Sequence, residues 1–215
     1  NSKGNLQYCN IRYVENSYGT GISVVYADSL TVNQNVIEHC YYGVYCDHSA
    51  PFISNNEIKN NTIGIYFQYY GSPHINAGNI IENNVTGAKF YSSSSPSISA
   101  GNIFRDNTNC GIFFDECSSV GTLNSLTLNN NGGYGAFRFA DCGDFTLGSG
   151  NSFSGNNWPL TIDTGSFPNS GSTIPISGST NNNIRVTSGS GSRTGTWPKF
   201  SGLDYIVTGS PQLNG

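Results

Sequence analysis

The 215-residue chain contains no methionine and little charge, with nine basic residues against thirteen acidic ones. A net charge of −4 leaves no basic stripe of the kind that tracks a phosphate backbone, which excludes nucleic acid as the expected partner. Nowhere is there the run of about 18 apolar residues that a membrane span requires, nor an N-terminal charged-then-apolar targeting pattern. With the missing methionine, the chain reads as a processed chain or an excised segment. No glycine-rich phosphate loop, Cys/His metal set or nucleophile elbow occurs. The six cysteines include no C-x-x-C pair, and Lys is scarce, so an exported protein is expected, extracellular or on a cell surface.

What is abundant is small and turn-forming. Asn, Ser and Gly account for 85 of the 215 residues, and all three are poor helix formers, which excludes a helical bundle. Disorder is excluded by the 36 % hydrophobic content, because 12 Phe and 13 Tyr supply apolar area for a core. The expectation is an all-β chain.

A short phrase recurs along it: Asn56-Glu57-Ile58-Lys59-Asn60-Asn61, Asn79-Ile80-Ile81-Glu82-Asn83-Asn84, Asn102-Ile103-Phe104-Arg105-Asp106-Asn107. The frame extends upstream to Asn35 and Cys9 and downstream to Asn124 and Asn151, in steps of 26, 21, 23, 23, 22 and 27 residues. Each unit then carries a small residue followed by alternating apolar positions, as in Gly64-Ile65-Tyr66-Phe67 and Gly111-Ile112-Phe113-Phe114, which is strand periodicity. A third short strand follows a proline at Pro51, Pro73 and Pro96, where no ladder donor is needed. Three strands per coil, each stacked on its counterpart one coil later, predict a right-handed parallel β-helix of about seven coils over residues 1–162. Residues 163–215 break the period and are expected to form an irregular closing segment with strands at Ile184-Arg185-Val186 and Tyr205-Ile206-Val207, packing on or extending the helix end.

Stacked coils should show column chemistry. One interior column is expected to read Val24, Cys46, Phe67, Phe90, Phe114, Phe139, Ile162. Two bend columns are expected to read Asn35, Asn56, Asn79, Asn102, Asn124, Asn151 and Cys40, Asn61, Asn84, Asn107, Asn129, Asn156, with each amide bonding backbone and the Asn above. An outward column, Arg12, Glu38, Lys59, Glu82, Arg105, alternates in sign and is read as a register device.

These phrases, N-x-I-x-N-N, then G-I-x-hydrophobic, then S-P-x-I, resemble the pectate-lyase-like right-handed β-helix repeat proteins over about residues 6–162. The Gly195-Thr196-Trp197-Pro198 tail is similar to the segment that follows such coils in large secreted multi-repeat proteins. The resemblance implies either a polysaccharide-acting enzyme or a non-catalytic surface module, and fold alone does not choose between them.

On the outward face of the Gly-led strands, Tyr45, Tyr66, Tyr91, Phe113 and Gln68 form a candidate carbohydrate platform of rings and an amide. The same tyrosines also suit any half-exposed strand face. Glu116 and Asp141 share a column on adjacent coils, beside Asp115. In the family's lyases such carboxylates hold calcium and an Arg or Lys removes the proton, roles for which Arg138 and Lys89 are the candidates here. That alternative is a Ca²⁺-dependent polysaccharide lyase. The favoured reading is a non-catalytic module with no cofactor, serving as a stalk or filament element that contacts polysaccharide and joins neighbouring domains or copies head to tail. A hydrolase, which needs paired Asp near a His, is not matched by Asp47, His48 or His74. Cys117 and Cys142 fall in one column and are expected to form a disulfide between adjacent coils; Cys46 is expected as a buried free thiol, and Cys9, Cys40 and Cys110 are left unassigned. Sequons occur at Asn60 and Asn84, the latter in a ladder column.

Overall fold

The computed structural model describes residues 4–12, 18–92, 95–117, 119–175, 177–189 and 196–210. Among these lie 23 short strands and no helix. Strands taken in chain order join three sheets in rotation: β1 (Gly4–Gln7), β2 (Asn10–Arg12) and β3 (Thr20–Val25) begin the five-, seven- and nine-stranded sheets, respectively. The next triplet is β4 (Leu30–Asn33), β5 (Val36–Glu38) and β6 (Tyr42–Asp47), each parallel to its predecessor in the same sheet. This rotation generates a parallel β-solenoid, and the interior is where the three sheets face one another.

The nine-stranded sheet carries the uniform strands. After β6 it continues through β9 (Ile63–Gln68), β12 (Thr86–Tyr91), β15 (Cys110–Asp115), β17 (Gly135–Ala140) and β20 (Leu160–Ile162), and then through β22 (Ile184–Val186) and β23 (Tyr205–Val207). The last two strands therefore extend the solenoid past Ile162 and bring it to about eight turns, one more than the sequence period suggests. The five-stranded sheet stops at β13 (Ser97–Ile98). Beyond a single bridge between Leu123 and Leu147, its place is taken by the pair β18 (Gly143–Phe145) and β21 (Ser166–Pro168).

Stacking explains the core. The expected interior column is in register from Val24 through Cys46, Phe67, Phe90, Phe114 and Phe139 to Ile162. Its rings lie nearly parallel, with centroids 5.4 Å apart for Phe67–Phe90, 5.0 Å for Phe90–Phe114 and 4.9 Å for Phe114–Phe139. Buried aromatic stacking at this spacing adds about 1 kcal/mol per pair to the area term. A strand spacing leaves no room for a side chain at the start of these strands. A Cβ on Gly64 would lie 2.5 Å from the Gly87 carbonyl oxygen, and Gly43 and Gly87 are equally hemmed in.

Each coil turns three corners, and nearly all follow one grammar. A residue in left-handed backbone comes first: His39, Asn60, Asn83, Asp106 and Asn130 at one corner, and Tyr26, His48, Tyr69, Ser92, Glu116 and Asp141 at another, all with φ between 47° and 59°. The residue after it turns inward and accepts the backbone N–H of its counterpart one coil earlier. Asn84 Oδ1 takes the Asn61 N–H at 2.9 Å while Asn84 Nδ2 donates to the Ile58 carbonyl and to Asn107 Oδ1. Buried backbone amides thus find partners that the bends would otherwise leave missing.

Two ladder positions differ from expectation, and by the same shift. Leu126, not Asn124, aligns with Asn102, and Asn131, not Asn129, lies between Asn107 and Asn156. The run Asn124-Ser125-Leu126-Thr127-Leu128-Asn129-Asn130-Asn131 fits the repeat phrase in two frames two residues apart. The structure takes the frame that buries Leu126 and Leu128 and keeps an amide at the second corner. The outward charge column is in register, and Arg12–Glu38 and Arg105–Glu82 pair at 2.6 Å, whereas Lys59 pairs within its own strand with Glu57.

The expected Cys117–Cys142 disulfide is not formed. The two residues are neighbours in adjacent coils, but both remain thiols with no bond between the sulfurs. Each occupies the inward corner position that Asn holds elsewhere, where the Cys142 sulfur accepts the Cys117 N–H at 3.4 Å and Cys142 N–H reaches Ser166 Oγ at 3.1 Å. Cys9 and Cys40 sit in the two Asn columns and hand their N–H groups to Asn35 and Asn61. In all four, the thiol points back to the carbonyl two residues earlier, across the left-handed residue. Cysteine here serves as a corner cap. Cys46 is a buried free thiol in the interior column, and burial pushes its thiol well up.

Candidate functional site: the outward face of the nine-stranded sheet

Alternation along parallel strands sends every second residue of this sheet outward, and registry aligns them into columns. The central column runs Ser23, Tyr45, Tyr66, Lys89, Phe113, Arg138, Thr161, Arg185, Ile206. Beside it runs Val25, Asp47, Gln68, Tyr91, Asp115, Ala140. All the residues expected to contact sugar therefore share one face.

Its first half is a field of phenols. Tyr42 stacks on Tyr66 at 5.2 Å, Tyr45 lies 5.9 Å from Tyr66, and Tyr41 and Tyr18 continue the cluster at its edge. Gln68 Nε2 donates to the Tyr45 hydroxyl. Burial pushes the Tyr66 and Tyr42 phenols up, and burial with the nearby Asp47 carboxylate does the same for Tyr45. These groups stay neutral O–H donors and acceptors at physiological pH. A second row of rings follows the adjacent corner: Tyr26 on His48 at 5.0 Å, His48 near Tyr69 and Tyr70, and Tyr69 near Tyr91. His48 Nδ1 is held by Asp47 Oδ1 at 2.6 Å.

The second half mixes rings with cations. Lys89 Nζ bridges to Asp115 at 2.8 Å and lies over Phe113 at 4.8 Å, with Tyr66 and Tyr91 on its flanks. Arg138 covers the other side of Phe113 at 4.2 Å and lies 3.9 Å from the Tyr134 ring. Phe113 is consequently only 7 % exposed, a floor beneath two cations and not an open ring.

Glu116 and Asp141 do occupy one corner column, both with exposed side chains. Among the described residues, neither forms an ion pair with Lys89 or Arg138. Lys89 is engaged by Asp115, and Arg138 leans towards Tyr134 at the start of its strand, while Asp141 lies past the strand's end. Asp163, next in that corner, is buried, and burial raises its pKa. Its carboxylate accepts the N–H groups of Asp141 and Gly165 at 2.9 and 3.0 Å. Among the described residues, no group of three or more His, Cys, Asp or Glu is arranged to hold a metal ion.

Tyr42, Tyr134, Trp158 and Arg185 also belong to this face and escape the repeat reading. A signal for Tyr134 was present: Asn107 is followed three residues later by Cys110, but Asn131 is followed four residues later by its register partner Gly135. The additional residue lifts Tyr134 out of the strand.

A closed stack of parallel coils with one continuous aromatic and cationic outer face defines the class of this protein as a parallel β-helix with a candidate binding face. The family of right-handed β-helix regions matches residues 1–158, and the chain belongs to that family. Neither a curated protein nor a solved structure matches it.

Proposed function

We propose that the protein is a non-catalytic, extracellular β-helix module with a structural role that contacts carbohydrate through the phenol-rich half of the nine-stranded sheet. The observation that carries this reading is the alignment of Tyr45 and Tyr66 one coil apart on one face, with Gln68 on the Tyr66 strand and Tyr42 and Tyr91 beside them. Flat rings stack on the apolar faces of sugar rings, while neutral hydroxyls and amides bond their alcohols. Parallel stacking gives a rod suited to a stalk or filament. Strands β3 and β23 lie at the two ends of the nine-stranded sheet, where adjoining coils or a second copy can add by strand pairing.

No observation favours the lyase alternative. A base must reach the proton it removes, and Lys89 is tied to Asp115 while Arg138 lies against the rings of Phe113 and Tyr134. Incubation with polygalacturonate and calcium is expected to give no rise in unsaturated-product absorbance; a rise lost in Arg138→Ala overturns the reading.

Titration against a panel of neutral oligosaccharides tests carbohydrate contact. At least one is expected to bind, with Tyr66→Ala weakening it about five- to tenfold, as one lost aromatic contact of about 1 kcal/mol implies. Binding unchanged in Tyr66→Ala, or no neutral glycan bound, overturns it.

A further inference from the structure

Four of the described basic side chains are neutralised by a carboxylate: Arg12 by Glu38, Lys59 by Glu57, Lys89 by Asp115 and Arg105 by Glu82. Arg138 and Arg185 are not, although the chain as a whole is acidic. Both stand in the central outward column, separated only by Thr161. Each is mounted on aromatic rings instead. Arg138 lies against Phe113 and Tyr134, and Arg185 lies 5.2 Å from the centre of the Tyr134 ring and 5.8 Å from that of Trp158.

Tyr134 is there because of the inserted residue. The turn Gly132-Gly133-Tyr134-Gly135 closes with the Gly135 N–H on the Gly132 carbonyl at 2.6 Å. Gly133 and Gly135 take φ of 40° and 88°, and a Cβ on Gly135 would meet the Trp158 carbonyl oxygen at 1.9 Å. Arg185 Nη1 approaches the Gly133 carbonyl at 3.5 Å, and its Nε donates to Thr208 Oγ1 at 2.8 Å. Neighbouring coils close the same corner without this insertion, so the coil does not need it to form. What it supplies is a ring that both guanidinium groups approach.

We propose that Arg138 and Arg185 form a two-point site for sulfate esters of a linear glycan. Stacking holds the planar guanidinium and leaves the N–H edges of Arg138 for bidentate bonding to an oxyanion, while Arg185, with Nε on Thr208 and Nη1 near the Gly133 carbonyl, offers its Nη2 as the second contact. A guanidinium is weakly hydrated and pairs best with a weakly hydrated anion, which describes a sulfate monoester better than a carboxylate. The ammonium of Lys89, in contrast, already holds a carboxylate. Two strand spacings, about 9.6 Å, separate the arginine backbones, and the two guanidinium groups, 3.9 and 5.2 Å from the Tyr134 ring centre, bring their charges onto one short stretch of glycan. The site goes beyond the neutral-glycan reading and does not rest on it, since its residues lie in the other half of the face.

Isothermal titration of the whole chain with a size-defined chondroitin 4-sulfate oligosaccharide, and with the same oligosaccharide chemically desulfated, tests it, because desulfation leaves the uronate carboxylates in place. The sulfated form is expected to bind, more weakly as salt rises, and the desulfated form at least about tenfold more weakly. Arg138→Gln and Arg185→Gln are each expected to weaken sulfated binding about tenfold, the worth of one charge-assisted contact, while Arg105→Gln, on the seven-stranded sheet, leaves it unchanged. Arg138→Lys, which keeps the charge and loses the planar fork, recovers only part. Equal affinity for the desulfated form overturns the proposal, as does binding unchanged in the double variant or an equally tight single-stranded oligonucleotide. Should the arginine variants fail to fold, Tyr134→Ala, which keeps both charges, is expected to lose binding and Tyr134→Phe to retain it; retention by Tyr134→Ala overturns the site.

Discussion

The coils from Thr20 to Asp115 are close copies of one another, whereas those after Asn131 are not. In the first region, the strand-start glycine and the left-handed corner residue return at each turn, with Asn at nearly every bend-column position and stacked rings from Phe67 onward. In the second, Ala136 stands where Gly21, Gly43, Gly64, Gly87 and Gly111 stood, and Gly135 follows Asn131 by four residues where Ile63 and Thr86 follow Asn61 and Asn84 by two. The difference separates two kinds of constraint. A residue whose partners are its own counterparts above and below must match them, so chemistry becomes uniform down a column. Where a coil's neighbour already departs from the pattern, that constraint is relaxed, and unpaired cations and an extra ring can be accommodated.

The comparison can be broken most forcefully inside the regular region. Phe114→Ala removes the middle of the ring stack, with Phe90 on one side and Phe139 on the other, and is expected to cost about 3–5 kcal/mol in denaturant unfolding. A cost under about 1 kcal/mol would mean that the interior is loosely packed. Asn84→Ala strands the Asn61 N–H and two carbonyl partners, and a loss of about 3 kcal/mol is expected. Asn151→Ala, in the irregular region, strands the Leu126 N–H and the Leu123 and Gly148 carbonyls but breaks no amide-to-amide bond along its column, and should cost less. Equal losses would erase the distinction between the two regions.

A smaller effect tests the C-terminal turns by pH. Tyr205 stacks on Trp197 at 5.0 Å and donates its hydroxyl to the Pro198 carbonyl; burial pushes its phenol up to about 12 from 10.0. The unfolded chain ionises first, so this contribution to stability is complete below pH 10 and is lost as pH rises from about 10 to 12. Tyr66 and Tyr42 shift in the same direction. Melting temperature should therefore fall with pH above 10, and less steeply in Tyr205→Phe; an unaltered slope would place Tyr205 in solvent. The smallest change is expected for Glu82→Gln, which breaks a partly exposed ion pair with Arg105 and should cost less than about 1 kcal/mol. A larger loss would make the charge column a principal source of stability and not chiefly a register device.

Much of this architecture was legible in the residues. The ring column from Val24 to Ile162 could be read position by position, because each side chain's environment is a near-copy of itself one period away. The two C-terminal strands were also readable, although their membership of the same sheet was not, since the 163–183 stretch carries no repeat phrase. Asn124 and Asn129 were misplaced because an Asn-rich run fits two frames, and only the burial of Leu126 and Leu128 chooses between them. Cys117 and Cys142 were placed correctly in adjacent coils and given the wrong bond, because column spacing states proximity but not which way a sulfur points at a left-handed corner.

The sequence by itself therefore determined the solenoid, its period, its core column and the face on which Tyr45, Tyr66, Lys89 and Arg138 stand, since these follow from periodicity and from stacking of like on like. Only the tertiary structure decided that Lys89 is neutralised by Asp115, that Phe113 is covered, and that Arg138 and Arg185 share the surroundings of Tyr134. Those contacts join residues of different coils through side chains that lean along the sheet, and lean is set by neighbouring volume and charge, which a one-dimensional repeat does not encode.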